Sequence, residues 1–268
     1  MNIETFSEAD LPVLNRLQPA DWGMMYPFYA YYLSHENCTP LKLTQFEETL
    51  AIGAVIRHED SAWLAHIVVD EQYRNKGLGK QITKALIDLI DPVKYTSIYL
   101  MATPLGLPVY KSLGFEVESL QSFYRRDTLA WVPDNLLSQS IKPVQLHEYE
   151  QILELDKQIS GEKRAYRLLD GIETAFVTHR HGRVSGFYLP NVLEGPVLAN
   201  NPEDGLELLK YRLSQKNEAV VPDDNVLANQ FLAQSGMTKY RYASRMRLGK
   251  HRPYLADQVF NRYSGQIG

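Results

Sequence analysis

The sequence is poor in the features that mark several protein classes. It holds a single cysteine, Cys38, so no disulfide can close within the chain. No apolar run approaches the ~20 residues that span a bilayer. The start, MNIETFSEADLPVL, lacks the basic flank and apolar stretch of a secretory signal. Net charge is only −4 over 268 residues, without the excess of lysine and arginine that a nucleic-acid surface uses to neutralise phosphates. The expectation is a cytoplasmic monomer or homodimer that binds neither nucleic acid nor membrane, and any anion it holds must be met locally.

Metal-ligand patterns are scarce as well. The seven histidines are scattered, and His179 and His181 with Asp223 and Asp224 come nearest to a cluster. A polar strand hairpin accounts for His179-Arg180-His181 better, so no metal site is expected. What is present is an ordinary globular composition, 44% hydrophobic and 22% charged. The length favours two domains of the usual ~100 to 150 residues.

Periodicity gives the order of elements. LPVLNRLQ and the stretch after Asp21 read as helices, and LKLTQF, TLAIGAVIRH and AWLAHIVVD alternate as successive strands. Ile82, Ala85, Leu86, Leu89 and Ile90 then recur at the spacing of a helix with one buried face, stopped by Asp91-Pro92. TSIYLMAT predicts another strand and PVYKSLG a short helix closed by Gly114 as a left-handed cap, with a strand from Phe115. The second half repeats the pattern without the identity. IKPVQLHEYEQILELD echoes the opening, AFVTHRHGRVSGFYLP reads as a hairpin turning at Gly182, and NVLANQFLAQSGM echoes TPLGLPVYKSLGF. The predicted fold is α+β, two tandem copies of one unit. The predicted boundaries are 1–130, a linker at 131–140, and 141–268.

Between the strand HIVVD and the long helix lies EQYRNKGLGK. A Walker loop needs glycine at position 74 and Ser or Thr at 81, which are Arg74 and Gln81. A dinucleotide fingerprint needs glycine at 82, which is Ile82. What remains is Arg-x-x-Gly-x-Gly, carried by Arg74, Gly77 and Gly79. Its glycines allow close backbone approach, its N–H groups converge, and a helix N-terminus adds its dipole, a nest for a pyrophosphate. Lys76 and Lys80 add positive charge.

With Arg74, Gly77 and Gly79 in the loop, and Tyr110, Gly114 and Phe115 downstream, the chain resembles the GNAT acyltransferase superfamily. AWLAHIVVDEQYRNKGLG, ATPLGLPVYKSLGF, GPVLANNPEDGLELL and SRMRLG extend the resemblance to a two-domain subgroup over nearly the whole chain, least well in the first 40 residues. The resemblance implies two GNAT-like units, each a mixed, mostly antiparallel sheet flanked by helices, of which the first is active and the second degenerate. It implies acetyl-CoA as cosubstrate, held by Arg74, Asn75, Lys76, Gly77, Leu78, Gly79 and Lys80. Backbone groups of Ile67, Val68 and Val69 are expected to polarise the thioester and bond the pantetheine arm. Thr103 stands where the family often has Asn, which weakens the analogy at that contact. Tyr110 is expected to meet the departing thiol. The second copy has Leu232 in the place of Tyr110 and no Arg-x-x-Gly-x-Gly.

The implied activity is direct transfer of an acetyl group to a primary amine of a small molecule or peptide. The rival reading is an acyl-CoA sensor that keeps the loop but not turnover. For the general base, Glu59, Asp60, His66 and water all stay open. DWGMMYPFYAYYLSHE falls where the family's first helices border the acceptor, with core packing the plainer account of its aromatics, and the tail YLADQVFNRYSGQIG reaches the cleft by resemblance alone.

Overall fold

A computed structural model describes residues 1–20, 22–127 and 140–267. The 131–140 linker therefore lies, but for Ser140, outside the described residues. The chain divides into two compact units that are not continuous in sequence. The first holds Met1–Glu116, Met246–Lys250 and Gly265–Ile267, and the second holds Val117–Arg245 and His251–Ser264.

In the first unit the elements run β1 (Asn2–Thr5), α1 (Leu14–Leu17), α2 (Tyr26–Ser34), β2 (Cys38–Gln45), β3 (Glu48–Arg57), β4 (Ser61–Val69), α3 (Leu78–Asp88), β5 (Ser97–Ala102) and α4 (Leu107–Lys111). The first four strands are antiparallel neighbours, and β5 joins β4 in parallel. Beyond β5 lies the Met246–Lys250 segment, held by Lys250 N–H to Thr96 O at 2.7 Å and by Ser97 Oγ to Lys250 O at 2.6 Å. Helix α3 forms because Leu78, Ile82, Ala85 and Leu86 make one apolar face, which packs on Leu41, Val55 and Leu64 of the sheet. Leu89, expected on that face, is 41% exposed, because the helix ends at Asp88 and the chain turns there. Gly53 of β3 lies beneath α3: a Cβ there would stand 2.7 Å from Leu86 Cδ1 and 3.1 Å from Ile67 Cγ1.

The second unit contains β6 (Glu116–Arg125, from Val117 onward), β7 (Lys142–Pro143), α5 (Tyr149–Ser160), α6 (Ala165–Leu169), β8 (Phe176–Arg180), β9 (Arg183–Tyr188), β10 (Val197–Ala199), α7 (Pro202–Leu213), β11 (Glu218–Pro222), α8 (Val226–Gln234), β12 (Thr238–Gly249, to Arg245) and β13 (Val259–Asn261). Strands β8 and β9 are the expected hairpin, with His181 and Gly182 both left-handed in its two-residue turn. The strand order is β13-β10-β9-β8-β7 in one sheet, while β6 stands between β12 and β11.

Strand β13 pairs antiparallel with β10. It also meets β11, where Asn261 Oδ1 accepts from Val220 N–H at 2.9 Å and Arg262 N–H donates to Val220 O at 3.0 Å. Asn261 is fully buried, and its Nδ2 donates to Gly195 O at 2.9 Å. Next to it Phe260 fills the core under α7, and Gly205 is what lets the helix sit there: a Cβ at 205 would fall inside the van der Waals envelope of the Phe260 ring. In a helix interior Gly→Ala ordinarily gains ~1 kcal/mol. Gly205→Ala is expected instead to cost about 2 to 3 kcal/mol by overpacking, and Gly205→Ala with Phe260→Leu to recover most of that loss. Urea denaturation of the three variants checks this, and additive costs would mean that the two residues do not share the space.

Candidate active site

Strands β4 and β5 pair from Ser61↔Ser97 to Leu64↔Leu100 and then part. The parting coincides with a bulge. Ile52 faces Val68 and Ala54 faces Ala65, so Gly53 alone stands opposite His66 and Ile67. His66 adopts a left-handed φ of 47°, uncommon for a residue with a β-carbon. Ile67, Val68 and Val69, expected to face the ligand, are therefore the part of β4 that leaves β5, and their edge is open toward the gap.

After Val69 the chain is fixed by Asp70, whose side chain accepts from Gln72 N–H at 2.9 Å and pairs with Arg16. Arg74 ends the following turn, its Nε donating to Val69 O at 3.3 Å and its guanidinium 3.1 Å from Glu71. Asn75 (φ 61°) and Gly77 (φ 81°) are both left-handed, and Gly77 caps α3 with no side chain to satisfy the helix. Among the described residues no hydrogen bond is donated by the backbone N–H groups from Asn75 through Lys80. The first turn of α3 holds no acidic residue, and Lys76 and Lys80 stand exposed beside it. Unsatisfied donors, dipole and lysines point the same way, toward an anion.

Thr103 follows β5. Its carbonyl accepts from Gly106 and Leu107 N–H at 3.0 Å, and so sets the turn into α4. Tyr110 on α4 is 8% exposed, packed on Gly106 and 6.1 Å from the Phe115 ring. Its hydroxyl has no hydrogen-bond partner among the described residues and is not sealed from solvent. Burial raises its pKa above the usual value for tyrosine.

Of the three side chains considered as base, Glu59 and Asp60 lie in the β3–β4 turn, before β4 begins at Ser61. At ~3.3 Å per residue, Asp60 is roughly 20 Å along the strand from Ile67, too far to take part there. His66 is at the gap. Its ring stacks on Phe28 at 4.9 Å and meets the edge of Trp22 at 5.9 Å. Its Nδ1 is 2.8 Å from the Tyr32 hydroxyl, and its carbonyl accepts from Tyr29 Oη at 3.4 Å. Tyr32 in turn donates to Gln266 Oε1 at 3.1 Å. In the 21–36 stretch Met25, Tyr29 and Tyr32 are core, while Trp22 and Phe28 stay half-buried around His66. Tyr32 and Gln266 carried no local signal; only the tail's resemblance to the subgroup pointed toward residue 266.

The second unit differs at every corresponding point. Helix α7 is capped by Asn201, whose side chain accepts from Glu203 and Asp204 N–H at 3.0 and 3.1 Å, and its first turn carries two carboxylates. Those donors are satisfied and that end is negative, the reverse of an anion site. Leu232, standing in the place of Tyr110, is fully buried in the core. His179 pairs with Glu148 at 2.6 Å, while Asp223 and Asp224 bond Ser122 and Ser119. No group of three or more His, Cys, Asp or Glu among the described residues is placed to hold a metal ion, and no described helix is long and apolar enough to cross a membrane.

Desolvation holds the His66 pKa down, at about 4 against 6.5. The titratable groups facing it among the described residues are the phenols of Tyr29 and Tyr32. A folded-state pKa below the unfolded value means that the unfolded chain takes up the proton first. The associated stability is complete above pH ~6.5 and is lost as pH falls toward ~4, at about 1.4 kcal/mol per unit. His66→Asn, which also suits a left-handed backbone, is expected to lack that slope. Denaturation of the two proteins between pH 7 and 4 checks it through the difference between the curves, and parallel curves would mean that His66 is not desolvated.

Known proteins share this fold. Residues 35–135 match an Acetyltransferase (GNAT) domain, and residues 152–261 match a second model of that description. A candidate acetyltransferase from Pyrococcus horikoshii superposes with a TM-score of 0.82 at 18% identity, covering 100% of this chain and 95% of its own. A GCN5-related N-acetyltransferase from Sphaerobacter thermophilus gives 0.62 at 14%, covering 94% and 96%. A Bacillus subtilis acetyltransferase in complex with CoA gives 0.37 at 18%, covering 44% and 78%. No curated protein matches the chain. With matched domains spanning most of its length and a shared fold end to end, the chain belongs to the GNAT acetyltransferase family, with two such domains in tandem and acetyl-CoA as the cosubstrate of the family.

Proposed function

We propose that the protein is an acetyl-CoA-dependent N-acetyltransferase that acts in its first unit on a primary amine of a small molecule or peptide, by direct transfer. The observation that carries the reading is the run of unpartnered backbone N–H groups from Asn75 to Lys80 at the uncapped start of α3, beside a strand that has left its neighbour. Acetyl-CoA supplies an activated acetyl group, and the residues present fit it. Arg74 to Lys80 hold the pyrophosphate. The open edge of Ile67 to Val69 bonds the pantetheine arm and turns an N–H on the carbonyl oxygen. The Thr103 hydroxyl, which already accepts from Gly106 N–H at 3.3 Å, keeps its own proton for the arm.

Tyr110 meets the departing sulfur as a hydrogen-bond donor. Full proton transfer from an ordinary tyrosine to a thiolate is uphill by ~1.5 pKa units, or ~2 kcal/mol, and burial raises the Tyr110 pKa further. The phenol therefore keeps its proton and stabilises charge as it develops.

The second unit binds no acetyl-CoA, because Asn201 and the acidic first turn close the end of α7 and β13 fills the space beside β10. One acetyl-CoA per chain is therefore expected by calorimetric titration, and two equivalent sites would end this reading. Gly79→Ala sharpens the test, since its Cβ would meet only Val69 Cγ2 at an ordinary 3.6 Å. That variant is expected to fold normally and to lose about tenfold or more in acetyl-CoA affinity, the cost of ~1.4 kcal/mol at a phosphate contact. Retained affinity would move the pyrophosphate elsewhere.

Tyr110→Phe removes an interaction that strengthens only as the thiolate forms, so turnover should fall by ~10² while acetyl-CoA affinity stays nearly unchanged. Thiol release over a panel of amines, with calorimetry of acetyl-CoA, measures both quantities. Weaker binding with unchanged turnover would place the hydroxyl on the CoA arm, and silence of the wild type on every amine beside tight binding would favour an acyl-CoA sensor.

A further inference from the structure

We propose that Gln266 and Tyr32 hold His66 in its Nδ1–H tautomer, so that the bare Nε2 faces the acceptor and His66 takes the proton from the amine nitrogen. The proposal rests on the acetyl-transfer reading above. Its starting point is a count of protons. The Tyr32 hydroxyl has one, and two acceptors lie within reach: His66 Nδ1 at 2.8 Å and Gln266 Oε1 at 3.1 Å. An amide oxygen can only accept, so its bond to Tyr32 exists only if the phenol donates to it. The phenol then presents lone pairs to Nδ1, and the short contact is a hydrogen bond only if Nδ1 carries hydrogen. A neutral imidazole has one N–H, which leaves Nε2 with a lone pair.

Three further observations support this role for the lone pair. Nε2 has no hydrogen-bond partner among the described residues and is not sealed from solvent. Phe28 stacked on the ring and Trp22 at its edge fix the plane of the imidazole. The left-handed backbone at His66 puts this side chain on the bulge immediately before Ile67, where β4 has already left β5. Strain of ~1 to 3 kcal/mol at such a position persists only where the surroundings impose it, and here Tyr29 bonds the His66 carbonyl while Tyr32 bonds its ring.

The step balances as follows. The lone pair of the neutral amine forms the C–N bond, the C–S bond breaks with its electron pair leaving on sulfur, and the proton on nitrogen passes to Nε2. His66 then returns that proton to water, and the thiolate takes one from water. Forming the C–N bond makes the nitrogen proton far more acidic than in a free alkylammonium at pKa ~10.4. A weakly basic imidazole suffices for that later proton and is too weak for the earlier one, so the amine arrives already neutral. His66 is the catalytic residue here, and Tyr32 and Gln266 are positioning residues.

Nitrogen NMR of ¹⁵N-histidine-labelled full-length protein, free of ligand, reads the tautomer directly. The wild type is expected to show Nδ1–H for His66. Gln266→Leu returns the Tyr32 proton to Nδ1 and is expected to give Nε2–H, while Gln266→Glu, which as a carboxylate can only accept at this contact, restores Nδ1–H. With an acceptor amine and acetyl-CoA, kcat should fall by ~10² in His66→Asn and by about tenfold or more in Gln266→Leu, and recover in Gln266→Glu. The KM for acetyl-CoA should stay unchanged throughout. A wild-type Nε2–H tautomer, or a kcat indifferent to His66→Asn, overturns the proposal. A Gln266→Leu protein that loses turnover with its tautomer unchanged reduces residue 266 to a packing role and overturns it also. The tautomer is read without turnover, so these results stand apart from failure of the acetyl-transfer reading, which shows as absent acetyl-CoA binding in wild-type calorimetry.

Discussion

Two neighbouring strands that part leave backbone donors and acceptors with nothing to bond, and a buried peptide group without a partner costs on the order of 1 to 3 kcal/mol. That constraint organises both units of this protein, and each meets it differently. In the first, β4 leaves β5 after Leu64 and the gap stays open. In the second, β10 and β11 have β13 beside them, with Asn261 and Arg262 bonding both backbone groups of Val220. A chain segment there does what a bound molecule would have to do in the first unit.

The helix starts follow the same logic. Helix α3 begins at a left-handed glycine with no capping side chain, no acidic residue in its first turn, and lysines alongside. Helix α7 begins at an asparagine that satisfies two of its donors, followed by Glu203 and Asp204, with Arg180 bound to both. The dipole is the same at both ends, and the side chains reverse its use. A glycine near the start of each helix admits a close neighbour. For Gly205 that neighbour is Phe260, whereas a Cβ at Gly79 would meet only Val69 Cγ2, at 3.6 Å.

The parts of this arrangement visible in the sequence are those that need only neighbours along the chain. The Arg74–Gly77–Gly79 loop, the apolar face of α3 and the short helix carrying Tyr110 are each set by residues within one or two turns, so spacing reveals them. The two α+β units followed from repetition of pattern and their mixed sheets from the family resemblance, and the family match agrees with both. What spacing could not reveal is long-range. The bulge at His66 depends on Gly53 across the ladder, the imidazole on Tyr32 and Gln266, and the first unit on a segment at 246–250. A strand of only three residues such as β13 lacks the length to announce itself by alternation, and Gly205 inside α7 reads as a weak helix position until Phe260 is seen against it. Glu59 and Asp60 show the converse: near His66 in sequence, they lie before the far end of β4.

The electrostatics of the first unit point to chemistry carried by neutral groups. Burial raises the pKa of Tyr110 and lowers that of His66, so at neutral pH the phenol keeps its proton and the imidazole takes none. Such a pair neither donates nor removes protons at rest. On the proposed reading it acts only as bonds change: the phenol toward a sulfur gaining charge, the imidazole toward a nitrogen losing electron density. Interactions that strengthen in the transition state and are weak before it lower the barrier without tightening the ground state. A histidine left at its ordinary pKa would be partly cationic near neutrality, so the aromatic surroundings that desolvate His66 also keep it available as an acceptor.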